Sequence, residues 1–181
     1  MGIVSAIYKW ANGRNILLTF LIAIICGAII SLGIVPQIDE ITSGIGLLDT
    51  RFFYSFEDVI ELFDALSAQG LMLYTNQKIV DMVFPLGYAL PLAMIQALIN
   101  KKAFSEGSRA SYLVLLPILG MFLDYGENIF IATQIVAYPI LSQPVVVAAS
   151  IATLLKWTTL SLSFVCVVAV LLIWLITRRS S

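Results

Sequence analysis

Apolar residues run almost unbroken through four stretches of the chain, from about Ile16 to Pro36, Leu71 to Ile99, Tyr112 to Tyr138 and Val145 to Ile176. Crossing a hydrocarbon layer of about 30 Å takes roughly 20 residues of α-helix, so each stretch is long enough for one passage. The pattern predicts an all-α, polytopic four-helix membrane bundle forming a single domain over residues 1–181. The polar connector Asn100–Arg109 separates the second and third spans, and Tyr138-Pro139 with Gln143-Pro144 marks a tight turn between the third and fourth. Between the first and second spans lies a long loop, residues 37–70. Within it Ser55 is a natural N-cap, followed by Glu57 and Asp58 where the helix dipole favours acids. Phe56, Val59, Ile60, Phe63 and Leu66 then recur at helical spacing, predicting a short amphipathic helix that ends near Gly70. It is read as a structural strap between spans, with a lid over the bundle mouth as the alternative.

Composition makes the membrane reading compelling. The chain is 60% hydrophobic and 12% charged, with a mean hydropathy of +1.00, against about 25% charged residues in an ordinary globular domain. The basic n-region Lys9 and Arg14 before the first span resembles that of a secretory signal peptide, but the apolar run is too long and no small-residue cleavage site follows Gly33-Ile34-Val35-Pro36-Gln37, so the span is expected to be retained. Met1-Gly2 lacks the Ser or Thr at position 6 that N-myristoylation requires, Ala6 standing there instead.

Charge distribution sets the expected orientation. Lys9, Arg14, Lys101, Lys102, Arg109, Arg178 and Arg179 fall on one side of the four spans, which the positive-inside rule assigns to the cytoplasm together with both termini. The 37–70 loop then lies outside, with Asp39, Glu40, Asp49, Glu57, Asp58, Glu61 and Asp64 against the single Arg51. No basic patch suits nucleic acid. There is no histidine and no CxxC pair, which argues against histidine-ligated haem, Cys/His zinc sites and thiol redox chemistry; no cofactor is expected. Cys26 and Cys166 read as small buried hydrophobes.

The candidate chemistry lies inside the spans, where a charged side chain costs several kcal/mol unless paired or hydrated. On the third span, offsets of three and four place Asp124, Glu127 and Asn128 on one helix face. On the second, Tyr74, Lys78, Asp81, Pro85 and Tyr88 share a face, and the fourth carries Lys156 beside Trp157. With span centres near Leu86, Asp124 and Ser163, a rise of 1.5 Å per residue puts Asp81 roughly 7 Å, Glu127 roughly 5 Å and Lys156 roughly 10 Å outward of the midplane. Asp81, Asp124 and Glu127 would there meet Lys156, with Arg51 and Tyr54 reaching in from the loop and Asn128 and Tyr88 orienting whatever binds. Lys78 either joins Lys156 against these acids, so that with Arg51 the charges nearly cancel, or, lying near the outer end of its span, snorkels to the interface. A metal is disfavoured because lysines would compete for the same oxygens.

Leu48-Asp49-Thr50-Arg51-Phe52-Phe53-Tyr54-Ser55, Asp81-Met82-Val83-Phe84-Pro85-Leu86-Gly87-Tyr88 and Phe122-Leu123-Asp124-Tyr125-Gly126-Glu127-Asn128 are similar to motifs of a group of small four-span membrane proteins. That resemblance covers the chain from the first long loop to the third span and implies the four-span build but no activity. The build, with acids facing an inner cavity, also resembles the emopamil-binding and sigma-2 receptor superfamily at the level of fold.

Three functions fit these residues. The preferred one is an outward-facing, charge-lined cavity binding a small amphiphile, amine or lipid, with transport if the chain oligomerises. The second is a membrane enzyme acting on a lipid or isoprenoid with a carboxylate as acid or base, although no histidine is present to activate a serine. The third is a structural or assembly subunit of a larger membrane complex. Membrane lipids are the expected surroundings in each. An impermeant-label reporter at Asp58 is expected to react from outside intact cells; labelling only after permeabilisation would reverse the orientation.

Overall fold

The structure, a computed structural model, describes residues 2–105 and 107–179; Met1 of the rejected lipidation motif and the side chain of Arg179 lie outside the described residues. Every regular element among the described residues is helical, and four helical segments are long and apolar enough to span a membrane: Gly13–Thr42, Ala68–Ala103, Arg109–Ala137 and Gln143–Arg178.

A short helix α1 (Ile3–Trp10), which the apolar pattern did not single out, precedes the first span. The span opens with α2 (Gly13–Ala28), whose first turn is capped by Asn12 Oδ1 accepting from the Asn15 N–H at 2.9 Å. It widens into a π-helical turn at Ile29–Ile34 and resumes as α3 (Val35–Thr42). Pro36 has no N–H to continue the regular ladder, which accounts for the irregular turn just before it. Residues 37–42, expected in the loop, therefore extend the first span, and Ile38 is completely buried. The helix ends where Ser43 and Gly44 adopt positive φ (55° and 83°) and the Gly44 N–H closes on Asp39 O.

After a 3₁₀ turn at Leu48–Thr50, the amphipathic segment of the loop forms α4 (Phe56–Ala65). Ser55 Oγ accepts from the Asp58 N–H while the Asp58 carboxylate accepts from the Ser55 N–H, a reciprocal capping box. These bonds, together with Arg51, hold the Asp58 carboxyl below its ordinary value. Val59, Leu62 and Phe63 are fully buried on the inner face.

The second span is broken into α5 (Ala68–Asp81) and α6 (Phe84–Ala103). In a continuous helix the Pro85 nitrogen would bond to the Asp81 carbonyl; it carries no hydrogen, so the ladder stops and that carbonyl is released. The third span runs from a 3₁₀ turn (Arg109–Val114) into α7 (Leu115–Ala137), and α8 (Gln143–Arg179) closes the fold. At 1.5 Å per residue α8 is about 55 Å long, well beyond the roughly 30 Å hydrocarbon layer.

Helix α6 is the hub, packed on α2, α7 and α8, while α7 lies along α8. Two glycines set the closest approaches. A Cβ on Gly87 would strike the Ala23 backbone, with its Cα only 2.7 Å away, and one on Gly120 would sit 2.9 Å from Leu160 Cδ2. The two central spans are the more buried and carry most of the buried polar residues, with Lys156 added from the last; the first and last spans expose side chains such as Leu32 and Phe164 as an apolar belt. At the end nearest α1, Asn100 Nδ2 donates to Ala110 O (2.8 Å) and Tyr8 Oη (3.1 Å), tying α1 and the connector to α6.

Gly87→Val is expected to force α2 away from α6, costing roughly 1–3 kcal/mol as overpacking does and lowering the melting temperature in detergent. Gly33→Val, with open space around it, should melt within error of wild type. Equal melting of both variants would contradict the close approach.

Candidate functional site

Six ionisable side chains from four elements converge where the second span breaks. Lys156 Nζ of α8 donates to Glu127 Oε2 at 2.6 Å and Asp124 Oδ1 at 3.2 Å, both on α7. Lys78 Nζ of α5 donates to Asp49 Oδ2 at 3.0 Å and Asn128 Oδ1 at 3.0 Å, with Asp81 Oδ2 at 3.9 Å. All six charged side chains are 10% exposed or less. Charge-assisted contacts this short are the strong kind, and burial leaves them little screened.

Backbone breaks and side chains are matched. Asn128 Nδ2 donates to the Asp81 carbonyl at 3.2 Å, filling the acceptor that Pro85 leaves vacant, while its oxygen serves Lys78. One amide thus joins α7 to α5. Tyr88, one turn into α6, donates its hydroxyl to Asp124 Oδ2 at 2.7 Å. Gln77 Nε2 donates to Asp49 Oδ2 at 3.0 Å.

The long loop is pinned over this cluster. Leu47, Leu48 and Tyr54 are buried, and the Tyr54 N–H donates to Ser150 Oγ of α8 at 3.0 Å. The Tyr54 hydroxyl lies 3.4 Å from Thr153 Oγ1, and burial followed by the Glu127 charge pushes its phenol well above the ordinary tyrosine range. Burial alone would raise the Asp49 carboxyl, but the Lys78 and Lys156 ammonium charges, together with the hydrogen bonds from Lys78 and Gln77, hold that carboxyl below its usual value.

Of the residues expected to gather, Asp81, Asp124, Glu127, Asn128, Lys156 and Tyr88 do so, and Tyr54 borders them through α8. Arg51 does not: its guanidinium turns back to Asp58 (2.9 Å) and the Ile45 carbonyl (2.9 Å), locking the loop to its own helix cap. Lys78 does not snorkel; it is 3% exposed and points into the cluster. Asp49 was not expected there, being one acid among seven in the loop. With Asp49 gained and Arg51 absent, carboxyls outnumber ammonium groups by two, where near-balance was expected.

A cleft of about 490 Å³ leads to this cluster. Asp49, Asp81, Asp124 and Lys156 line one end; Pro91, Leu92, Ile95 and Leu160 form the apolar remainder. Phe20 of α2 and Phe164 of α8, 50% and 64% exposed, flank its opening. The cleft therefore opens sideways between the first and last spans. On the side of the loop, Leu47, Leu48 and Tyr54 are buried beside the cluster. Trp157 also lines the cleft, and its buried indole N–H has no acceptor among the described residues. A larger hollow of about 970 Å³ lies between α1 and the connector, and none of the six charged side chains lines it. Among the described residues no group of acids, histidines or cysteines is arranged to hold a metal ion. Compared with protein-family models, curated proteins and solved structures, the chain finds no match.

Asn128→Leu removes a donor and an acceptor inside the cluster and should cost about 1–3 kcal/mol for the groups left unpaired. Arg51→Gln breaks a partly exposed pair and should cost under about 1 kcal/mol. Denaturation in mild detergent compares them; equal losses would contradict the geometry.

Proposed function

We propose that this protein is a membrane binder of small amphiphiles, taking a cationic or polar head group against Asp81 and Asp124 and an apolar tail along Pro91, Leu92, Ile95 and Leu160. The observation that carries this reading is the cleft itself, apolar along its length and lined at one end by three carboxyls and a single lysine. An apolar body sets affinity in such a site and a few polar groups fix orientation. The sideways opening between Phe20 and Phe164 suits a ligand that partitions into the bilayer first. Trp157 contributes a free donor beside the head-group end.

The positive-inside distribution supports a topology with both termini in the cytoplasm and the 43–67 loop, with α4, on the opposite face. The loop acts as a strap, since its buried leucines and Tyr54 close that end of the bundle. Transport across the bilayer would need a second copy or a partner to offer this cleft an alternate opening.

The test uses a Trp10→Phe/Trp174→Phe protein, leaving Trp157 as the reporter, and an octyltrimethylammonium carrying bromine on its chain. Saturable quenching of Trp157 is expected, with an octyl sulfate failing to compete. Asp124→Asn and Glu127→Gln should fold yet abolish quenching, since loss of either carboxylate lets Lys156 cancel the charge of the other. Unfolding of both variants, or no saturable quenching in wild type, would sink the reading.

A further inference from the structure

The charge count of the cluster is the feature least explained by binding alone. Asp49, Asp81, Asp124 and Glu127 face Lys78 and Lys156, all at least nine-tenths buried, so with every group ionised the cluster carries two uncompensated negative charges. Each uncompensated buried ion carries a desolvation penalty of several kcal/mol in principle, and acceptors are left over as well. Asp49 Oδ1, Gln77 Oε1 and Glu127 Oε1 are buried with no hydrogen-bond partner among the described residues.

The four carboxyls are not equally held. Asp49, Asp124 and Glu127 each lie within 3.2 Å of an ammonium nitrogen. Asp81 is 3.9 Å from Lys78, and its one side-chain hydrogen bond is a long contact of 3.4 Å from Gln77 Nε2. It also lines the cleft. The groups facing it from the packed elements are Lys78 and Gln77 on α5, Asp49 on the loop, Tyr88 on α6, Asp124, Glu127 and Asn128 on α7, and Lys156 on α8; α2 brings only the Cys26 thiol. No unengaged cation is among them.

Resting on the amphiphile-binding reading, we propose that Asp81 holds an exchangeable proton in the empty cleft and surrenders it when a cationic head group arrives, making the site a proton–organic cation exchanger. The carboxylic acid O–H bond breaks, its electron pair stays on the carboxylate, and the proton leaves to water as the ammonium takes its place. One positive charge replaces another, so the cluster has the same net charge empty and loaded. A low-dielectric site favours this exchange over simple addition, because neither state exposes a new uncompensated charge.

Octyltrimethylammonium, which has no proton of its own, is titrated calorimetrically into the full chain in phosphatidylcholine nanodiscs, in buffers of differing ionisation enthalpy. Expected are release of about one proton per ligand and an affinity rising about tenfold per pH unit while Asp81 is protonated. Asp81→Asn keeps the backbone carbonyl that Asn128 holds; it should fold, bind more weakly, release no proton and lose the pH dependence. Wild-type binding without proton release overturns the exchange and leaves the binding reading standing. Absence of saturable binding overturns both. Proton release that persists in Asp81→Asn overturns the assignment to Asp81.

Discussion

An ammonium ion among membrane-spanning helices must be surrounded by its own counter-charges, and Lys156 meets that demand with Glu127 at 2.6 Å and Asp124 at 3.2 Å. The two carboxylates are three residues apart on α7, so a single turn presents both to one nitrogen. That fixes the register of α7 against α8, and Gly120, two turns earlier, allows the backbones to draw close. Everything else in the polar core is attached to this contact. Asn128 follows Glu127 and reaches α5, Tyr88 reaches Asp124 from α6, and Lys78 carries the network to the loop through Asp49.

The break in the second span gives this network its reach. A straight helix through residues 68–103 would occupy the Asp81 carbonyl internally and leave Asn128 with no backbone acceptor there. Pro85 frees the carbonyl, Asn128 takes it, and the turn at Met82–Val83 separates α5, which contributes Lys78, from α6, which contributes Tyr88. Irregular backbone at membrane depth is tolerated where protein groups satisfy it. The cleft begins at that same place, with Asp81 and Phe84 in its wall.

The four apolar segments were legible because length and hydropathy alone bound them, and Asp124, Glu127 and Lys156 stood out as charges within apolar runs. Other features depended on three-dimensional detail that periodicity does not carry. Asp49 looks like its acidic neighbours until the positive-φ turn at Ser43–Gly46 and the burial of Leu47 and Leu48 deliver it to Lys78. Arg51 was within reach of the cluster by sequence distance, but the capping box supplies a closer carboxylate in Asp58. Lys78 reads as a snorkelling residue only if its span is straight and its side chain points outward. Its burial follows from the short separation to Asn128 and Asp49 that packing creates.

A brace and a binding site differ in how they treat surplus charge. A brace gains from neutrality, because each unpaired buried ion subtracts from the stability it is there to provide. Here Lys156 and Lys78 are each shared between two close acceptors, no further cation reaches the cluster from the described residues, and Asp81 is left as the loosest partner at the charged end of an apolar cleft. A protein needing only to hold four helices together could replace Asp81 by an asparagine and keep the carbonyl contact that joins α5 to α7. The carboxyl adds nothing to that contact; its own partners are Lys78 at 3.9 Å and Gln77 at 3.4 Å, the longest in the cluster, and it stands in the cleft wall.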